Sequence, residues 1–310
     1  MSTYDPDALE CLAAIVEEGG FERAAQRLSI TQSAVSQRLR ALESQVGTVL
    51  IVRSRPLKAT SAGRLLLKHT KMLRLLRADL ERDMKELAPG SIGTSGGGRE
   101  EERIAIAINA DSIATWALPA LTALAQQGLA LEIIADDQNF TQEWLREGQV
   151  LGCVTTLSQA LRGCKMVALG AMDYVAVATP AFAQARLASS GKPQLTAHNF
   201  RSVPFIAFNR KDDMQTEFVG KAFGLKRVML NQVFVPSSEG QVRAVLAGWG
   251  VSVVPRLLAA GLLQQGVLVN VAPACAVKVQ LYWHCWNLQS EVLDALTTAI
   301  SDAAVQSLTR

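Results

Sequence analysis

The stretch FERAAQRLSITQSAVSQRLRALESQVG, residues 21–47, decides the fold of the N-terminal part of this chain. Ala24, Ala25 and Leu28 share one face of a first short helix, and the small alanines let another helix pack closely on it. A turn at Ser29-Ile30 separates this helix from a polar one. Upstream, an apolar helical repeat ends at a Gly-Gly pair, as helices often do. The sequence therefore predicts three helices, of which the last two are joined by a tight turn.

The third of these helices has two different faces. Thr31 is placed to cap it, and apolar residues at 35, 39, 42 and 46 follow helical spacing toward a core. Hydrogen-bonding side chains near a helix N-terminus suit base edges and phosphates of a major groove. The candidate DNA-contacting residues of this helix are Thr31, Gln32, Ser33, Ser36, Gln37, Arg38 and Arg40. The alternative is an ordinary solvated face, which the whole pattern of helix, turn, polar helix and basic segment disfavours.

The basic segment is LIVRSRPLKAT, residues 50–60, which predicts a short β-hairpin or wing. The cations of Arg53, Arg55 and Lys58 would contact phosphates or an adjacent minor groove. Residues 21–77 hold 12 lysines and arginines against two acidic residues, an excess that a phosphate backbone attracts. A basic surface hairpin that does not touch DNA is the alternative.

A long helix is predicted over residues 62–87, with Ser61 as its cap. Leucines at 66, 73, 80 and 87 recur every seven residues and form a coiled-coil-like stripe. We expect this helix to dimerise, because a dimer matches palindromic half-sites; packing within one chain is the alternative. The glycine- and serine-rich residues 89–99, PGSIGTSGGGR, then predict a flexible linker.

The remaining residues alternate short apolar or β-branched runs with helical stretches, which predicts α/β domains with mainly parallel sheets. The predicted strands are 104–108, 131–135, 151–155, 174–178, 203–208, 228–234, 251–254 and 279–283. The predicted helices are 117–127, 141–147, 214–222, 240–247 and 256–260.

The composition disfavours several classes of protein. The 310 residues are 49% hydrophobic and 19% charged, as in globular proteins. Neither a membrane-spanning run nor a signal peptide is recognisable, so we expect a cytoplasmic protein. The chain has none of the P-loop, GxSxG, HExxH and dinucleotide-binding fingerprints, its five cysteines make no CxxC pair, and its three histidines have no metal spacing. We predict that it is not an enzyme and needs no cofactor or metal.

The quoted stretch and LIVRSRPLKATSAG resemble the winged helix-turn-helix of LysR-type transcriptional regulators, a match that covers residues 5–88. The resemblance implies a multidomain protein with an N-terminal, all-α winged helix-turn-helix and a long linker helix. Two α/β subdomains like those of periplasmic binding proteins would follow. The implied base-facing residues are Gln32, Ser33, Ser36 and Gln37, and the implied backbone contacts are Arg53 and Arg55.

The family's domain organisation can be transferred to this chain. The expected parts are a DNA-binding domain (1–60), a dimerisation helix (61–88), a flexible linker (89–103) and an effector-binding domain (104–310). In the family, the chain crosses twice between two effector subdomains. Crossings near Asp173 and Pro273 would give subdomain I residues 104–172 and 273–310, and subdomain II residues 173–272. Clefts at such crossings hold small ligands.

Polar residues follow several predicted strands of this half, where hydroxyls suit a carboxylate ligand and carboxylates suit an ammonium or guanidinium group. The candidate effector-binding residues are Asp111, Ser112, Thr115, Trp116, Asp136, Asp137, Asp173, Asp212, Asp213, Ser237 and Ser238. Taken singly, such residues are more often simple helix caps.

The segments NADSIATWALPAL, GAMDYVAVATPAF, DDMQ and LYWH resemble the ArgP/LysG branch of the family, which senses basic amino acids and controls their export and related genes. The resemblance implies a lysine or arginine site with Ser112, Thr115 and Trp116 on one side. Asp137 and Asp213 would hold the cationic end. It also implies an activator that binds palindromic double-stranded DNA as a dimer or tetramer and contacts RNA polymerase.

Other classes of function remain open at this stage. One is a LysR-type regulator of a different small molecule. Another is a nucleoid or architectural DNA-binding protein without an effector. A third is an enzyme or solute binder fused to a helix-turn-helix.

Overall fold

A computed structural model of the chain describes residues 4–52, 54, 57–87, 103–136, 141–189 and 192–309. The described residues form two compact units. The first contains residues 4–87 together with two short segments from later in the chain, and the second contains most of the rest. Among the described residues, no helix is both long and apolar enough to cross a membrane.

Three short helices form the N-terminal head. They are α1 (Pro6–Glu17), α2 (Phe21–Arg27) and α3 (Gln32–Val46). The turn between α2 and α3 places Ser29 at a φ of 55°, which is uncommon for a residue with a side chain. The Thr31 hydroxyl accepts a hydrogen bond from the Ala34 amide at 3.2 Å, and Gly47 closes the helix in the left-handed region. The predicted extent and cap of the third helix are confirmed.

A two-stranded wing follows α3, as predicted. Strands β1 (Ile51–Val52) and β2 (Lys58–Ala59) pair antiparallel. The Leu50 amide donates to Glu43 Oε1 at 2.8 Å, which ties the start of the wing to α3.

The long helix α4 (Ser61–Leu87) follows the wing at once. Its cap is Thr60 and not Ser61 as predicted, because the Gly63 amide donates to the Thr60 hydroxyl at 3.1 Å. A Cβ at Gly63 would lie 2.2 Å from the Leu50 carbonyl oxygen, so glycine is needed where α4 crosses the wing.

The apolar stripe of α4 is shifted from the predicted seven-residue series. Leu66 and Leu67 join the core of the head, together with Leu12, Val35 and Leu42. Leu66 is therefore not part of a free stripe. The exposed apolar side chains of α4 are Leu65, Leu73, Leu76, Leu80 and Met84.

The second part of the chain contains short strands and helices in alternation. Its strands are β3 (Ile104–Asn109), β4 (Leu131–Asp136), β5 (Gly152–Thr155), β6 (Cys164–Ala178), β7 (Ala188–Ser189), β8 (Lys192–Pro193), β9 (Pro204–Ala207), β10 (Asn231–Phe234), β11 (Ser252–Pro255), β12 (Val269–Asn270) and β13 (Val277–Trp286). Its helices are α5 (Ala110–Ser112), α6 (Leu118–Gln126), α7 (Thr141–Arg146), α8 (Pro180–Leu187), α9 (Met214–Phe223), α10 (Ser238–Leu246), α11 (Arg256–Gln264) and α12 (Glu291–Ser307). A π-helical turn (Ile113–Ala117) joins α5 to α6, and Phe200–Ser202 form a 3₁₀ turn.

The main sheet is mixed, so the prediction of mainly parallel sheets is wrong. Its strand order is β11-β6-β13-β5-β3-β4, with β12 also paired to β6. Strand β3 is parallel to β4 and β5, but β13 is antiparallel to β5 and β6, and β6 is antiparallel to β11 and β12. Buried apolar runs look alike in parallel and antiparallel strands, so the sequence could not show the direction of pairing.

Two long neighbouring strands, β6 and β13, run through this sheet. Strand β6 begins at Cys164, well before the predicted strand that started at residue 174. Asp173 lies within β6, in register with Lys278 of β13. The division of the effector domain near residues 173 and 273 remains a prediction.

Two helices were not predicted. Helix α8 begins at Pro180 after a Thr179 cap. Helix α12 buries one face, with Leu296, Ile300 and Ala304. The i, i+4, i+8 spacing of these three residues was a readable helical signal.

Candidate functional site

Helix α3 has a polar face that lies opposite the apolar core of the head. Gln32, Ser33, Gln37 and Arg40 are exposed, and Ser36 is half-buried. The opposite face holds the helix in place, since the predicted inward residues 35, 39 and 42 are at most 2% exposed. The residues that could touch a groove are therefore separate from those that stabilise the helix.

Arg38 departs from this outward set. Its Nη2 lies 3.1 Å from Asp7 Oδ2 of α1. Burial raises the pKa of Cys11, and the neighbouring Arg38 opposes that rise. Position 38 directly precedes the buried Leu39, so its side chain lies at the edge of the core and turns back toward α1.

The remaining residues of the predicted DNA face are placed as follows. Thr31 is exposed, but its hydroxyl caps α3 and lies 3.0 Å from the Ser33 hydroxyl. Lys58 is exposed on β2 of the wing. Arg53 and Arg55 lie outside the described residues.

A cleft opens at the carboxyl ends of the parallel strands β3 and β4. Its lining residues are Asn109, Ala110, Asp111, Asp136, Tyr174, Phe208, Asp212, Met214, Gln241 and Val253. These described lining residues include three carboxylates and neither lysine nor arginine. Such a cleft favours a ligand with a positive charge.

Asp111 is the most strongly held of these carboxylates. Tyr174 Oη donates to its Oδ2 at 2.6 Å, and Ser238 Oγ donates to its Oδ1 at 2.6 Å. Both donor side chains are nearly fully buried. Asp111 therefore joins the start of α5, strand β6 and the start of α10.

Asp212 and Asp136 line the same cleft from other segments. Asp212 accepts the backbone amides of Phe208 and Met214, each at 2.9 Å, so it also shapes the loop before α9. Asp136 ends β4 in register with Asn109 of β3. The cleft thus brings together acidic residues from three segments, of which the first and the last, at Asp111 and Asp212, are about 100 positions apart in the chain.

Several predicted effector residues lie elsewhere. Ser112 and Trp116 are at most 3% exposed and are not among the residues that line the cleft, so their role in effector binding stays a prediction. The Thr115 hydroxyl donates to the Asp111 carbonyl at 2.6 Å, and so it supports the loop. Asp137 lies outside the described residues.

Three further predicted residues are not among those that line the cleft. Asp213 is exposed beside α9, and Ser237 caps α10 by accepting the Gly240 amide at 3.0 Å. Asp173 neighbours Tyr174 on β6, so its side chain lies on the other face of the sheet, 3.9 Å from the Lys278 ammonium. For Ser237 the simple helix cap is the reading that the structure supports.

A π-helical turn, Ile113–Ala117, follows Ser112 and contains Thr115 and Trp116. Such turns insert an extra residue into a helix and often occur at functional sites. Trp116 is 3% exposed within this turn.

Sequence reasoning missed Tyr174 and Gln241. Tyr174 could be recognised as a cleft residue only once β6 had been placed beside the cleft. Side chains alternate along a strand, so Tyr174 and Asp173 then lie on opposite faces of the sheet. Gln241 lies on α10 one turn after Ser237 and is 6% exposed. Its position relative to the cleft depends on tertiary packing.

Comparisons with known proteins cover both halves of the chain. Residues 6–64 match the bacterial regulatory helix-turn-helix of the lysR family, and residues 97–304 match the LysR substrate binding domain. The chain belongs to the LysR family. Its winged helix-turn-helix and α/β half are therefore the family's DNA-binding and effector-binding parts, which confirms the expected fold class and a DNA-binding transcriptional regulator.

Individual relatives of this LysR-family regulator agree over nearly the whole chain. The transcriptional regulator ArgP of Pseudomonas aeruginosa is 38% identical over 311 residues, which cover 100% of this chain and 99% of that protein. The transcriptional regulator LysG of Mycobacterium tuberculosis is 38% identical over 303 residues, 97% of this chain and 93% of that protein. The resemblance to the ArgP/LysG branch is confirmed.

Solved structures show the same likeness. ArgP from Mycobacterium tuberculosis has a TM-score of 0.82 and 37% identity, with 99% of both chains covered. Full-length LysG from Corynebacterium glutamicum with bound effector Arg has a TM-score of 0.75 and 35% identity, with 99% of this chain and 100% of that chain covered. The LysR-family regulator thus shares both fold and sequence with proteins of this branch.

Proposed function

We propose that this LysR-family regulator responds to a basic amino acid, arginine or lysine, bound in the acidic cleft. The observation that carries the proposal is the gathering of Asp111, Asp136 and Asp212 around one cleft whose described lining residues hold no cation. The arginine named with the similar LysG structure supports it.

Asp111 is the residue best prepared to hold the ligand's cationic group. Its two donors, Tyr174 and Ser238, are hydroxyls. Each carboxylate oxygen can accept more than one hydrogen bond, so Asp111 can bind an ammonium or guanidinium while it keeps both hydroxyl partners. Asp212 is bonded to backbone amides, so it contributes charge from a more rigid position.

Titration calorimetry tests the effector with matched pairs of ligands. Arginine is compared with citrulline, which replaces the guanidinium by a neutral urea group, and lysine is compared with norleucine, which lacks the side-chain ammonium. We expect at least a tenfold weaker binding of each neutral partner, because it loses a charge-assisted hydrogen bond worth about 1.5–3 kcal/mol. Equal binding of citrulline and arginine, or no binding of either basic amino acid at millimolar concentration, would contradict the proposal.

For the DNA-binding part, we propose that the outward residues of α3 contact bases and phosphates. These are Gln32, Ser33, Ser36, Gln37 and Arg40. We assign the exposed Lys58 of the wing to contacts with the DNA backbone, together with Arg53 and Arg55. A gel shift at several salt concentrations, with and without arginine, tests this assignment, since phosphate contacts give a steep salt dependence.

We propose that α4 forms a dimer through its exposed apolar stripe, Leu65, Leu73, Leu76, Leu80 and Met84. These side chains recur on one face over the whole helix, a pattern that favours a helix–helix contact. A Leu80→Glu variant should be monomeric by light scattering, whereas wild type should be dimeric or larger. A monomeric wild type would refute this part.

The domain boundaries at residues 60, 88 and 103 belong to the same proposal, as do the two effector subdomains.

The regulator would act in the cytoplasm as an activator of genes for basic amino acid export, together with RNA polymerase and without catalytic activity. Transcription of a promoter that the protein binds, measured with purified polymerase and increasing arginine, tests the activator role; a decrease would instead indicate a repressor.

A further inference from the structure

Helix α4 carries an arginine, Arg74, whose guanidinium is bound by two carboxylates of α1. Its Nε donates to Glu10 Oε2 at 2.9 Å, and its Nη1 donates to Glu17 Oε1 at 3.1 Å. The Arg74 side chain is only 12% exposed, whereas Arg146, which pairs with its helix neighbour Glu143, is 48% exposed. A forked and largely buried contact of this kind has a defined direction, so it fixes how α4 lies on α1.

The ion pairs continue beyond α1. Glu17 also accepts from Arg27 Nη1 of α2, at 2.6 Å. Glu10 and Glu17 are seven residues apart, about two turns along one face of α1, and Arg74 lies between them. We call Arg74, Glu10, Glu17 and Arg27 the Arg74 network. It links the long helix through α1 to α2, which directly precedes the DNA-reading helix α3.

The residues by which α4 enters the core of the head are Leu66 and Leu67, about two turns before Arg74. Leu75, next to Arg74, is also buried but does not belong to that core cluster. Hydrophobic contact is not directional, so Leu66 and Leu67 allow α4 to pivot on the head. The Arg74 network acts beyond that pivot and opposes the rotation.

A small rotation about Leu67 would have a large effect at the far end of α4. The 20 residues from Leu67 to Leu87 span about 30 Å at 1.5 Å per residue. A rotation of about 10° moves that end by about 5 Å, more than the 3.4 Å spacing of successive bases along a DNA strand. Since the exposed stripe of α4 is the proposed dimer contact, the angle between α4 and the head sets the distance between the two α3 helices.

We propose that the Arg74 network is a specificity-determining element that selects the spacing of the two DNA half-sites. The residues of α3 read the sequence of each half-site, and Arg74 acts through the position of the head. This inference rests on the proposed α4 dimer and is independent of the identity of the effector.

Parallel selection of binding sites from random duplex DNA tests the network. Full-length wild type is compared with Arg74→Met, which keeps the aliphatic length and removes the fork, and with Arg146→Met as a control. We expect wild type and Arg146→Met to select one dominant spacing. Arg74→Met should select the same half-site bases with three or more spacings at comparable frequency. A single unchanged spacing, or altered half-site bases, would overturn the inference.

A variant of the other side of the network guards against an Arg74 variant that fails to bind. Glu10→Gln combined with Glu17→Gln keeps Arg74 and removes the charge of both its partners, so it should broaden the selected spacing as Arg74→Met does. A folded double variant that keeps one dominant spacing would overturn the inference. Light scattering on the same samples separates the two proposals: a monomeric wild type refutes the dimer itself, whereas a dimer with unaltered spacing in Arg74→Met refutes only the role of the network.

Discussion

The polar face of α3 and the acidic cleft arrange their side chains in different ways. The outward residues of α3 fall within one short helix, and Gln32, Ser33, Gln37 and Arg40 are exposed. The cleft draws its lining from segments between Asn109 and Val253, and its Asp111 is held by two buried hydroxyl groups. The outward residues of α3 project from a helix that other residues stabilise. The cleft residues themselves help to hold the surrounding segments together.

This difference determines how substitutions should behave. An exposed side chain on α3 can be removed with little change in stability, because the buried face of the helix is untouched. In the cleft, removal of one partner leaves a buried hydroxyl without its acceptor, which costs stability as well as binding. The two surfaces should therefore be separable by conservative substitutions, and the following measurements test that separation.

The largest expected effect is at Asp111. Asp111→Asn keeps the shape and removes the charge, so we expect the Kd for arginine to rise about 100-fold, since hydrogen bonds to charged groups contribute about 1.5–3 kcal/mol. DNA affinity without arginine should change less than threefold. Calorimetry measures the first and fluorescence anisotropy the second, with the exposed Asp213→Asn as the control. Equal losses in both variants would end the assignment of Asp111.

A somewhat smaller effect is expected at Gln37. Gln37→Ala should weaken binding to a selected DNA duplex about 10- to 30-fold, because a good base contact contributes about 1–3 kcal/mol. Its melting temperature should stay that of wild type. Ser44→Ala is the matched control, since Ser44 is exposed two turns further from the N-terminus of the same helix. If both variants lose DNA affinity equally, α3 does not enter the groove by its N-terminus.

The cap of α3 has features of both surfaces. Thr31 is exposed, like the outward residues of α3, but its hydroxyl also holds the start of the helix through a hydrogen bond. Thr31→Ala removes the acceptor of the Ala34 amide and should lower the free energy of unfolding by about 1 kcal/mol. Thr31→Ser keeps the oxygen and should stay near wild type. Urea denaturation followed by circular dichroism distinguishes them. The same loss in both would mean that the methyl group and not the cap is responsible.

The smallest effect concerns pH and the buried His284 of β13. Burial lowers the pKa of His284, and its hydrogen bond to the Leu157 carbonyl, 2.8 Å from Nε2, opposes that shift. The unfolded chain therefore binds the proton more readily than the folded one. Stability is full above the ordinary histidine pKa of about 6.5 and falls as the pH drops toward the lower folded value.

Thermal unfolding between pH 7.5 and 5.5 checks this sign. The melting temperature of wild type should fall with pH, and that of His284→Gln should fall less. His198→Gln replaces an exposed histidine and serves as the control. A steeper fall in His284→Gln would show that another group dominates the pH dependence.

The head was largely predictable because its signals are local. Apolar spacing, the Gly-Gly pair and the Thr31 cap act between residues a few positions apart, so the helices and the wing were found with nearly correct bounds. The exceptions depended on contacts across the head. Arg38 turns to Asp7, and Leu66 enters the core instead of an exposed stripe.

The cleft was predictable only in part. Asp111, Asp136, Asp212 and Ser238 were candidates because each borders a strand or a helix start, and the structure brings them together. Tyr174 was missed, because its role depends on the pairing of β6 and on which face of the sheet meets the cleft.

The sequence by itself determined the family, the helices and wing of the head, and most of the outward face of α3, since helical period and caps are properties of neighbouring residues. The tertiary structure alone decided the mixed direction of the sheet and the hydrogen bonds of Asp111. The antiparallel neighbours of β6 and the hydroxyl partners of Asp111 are 60 or more residues away in the chain. Such contacts are set by how whole faces pack together, and no local repeat in the sequence encodes them.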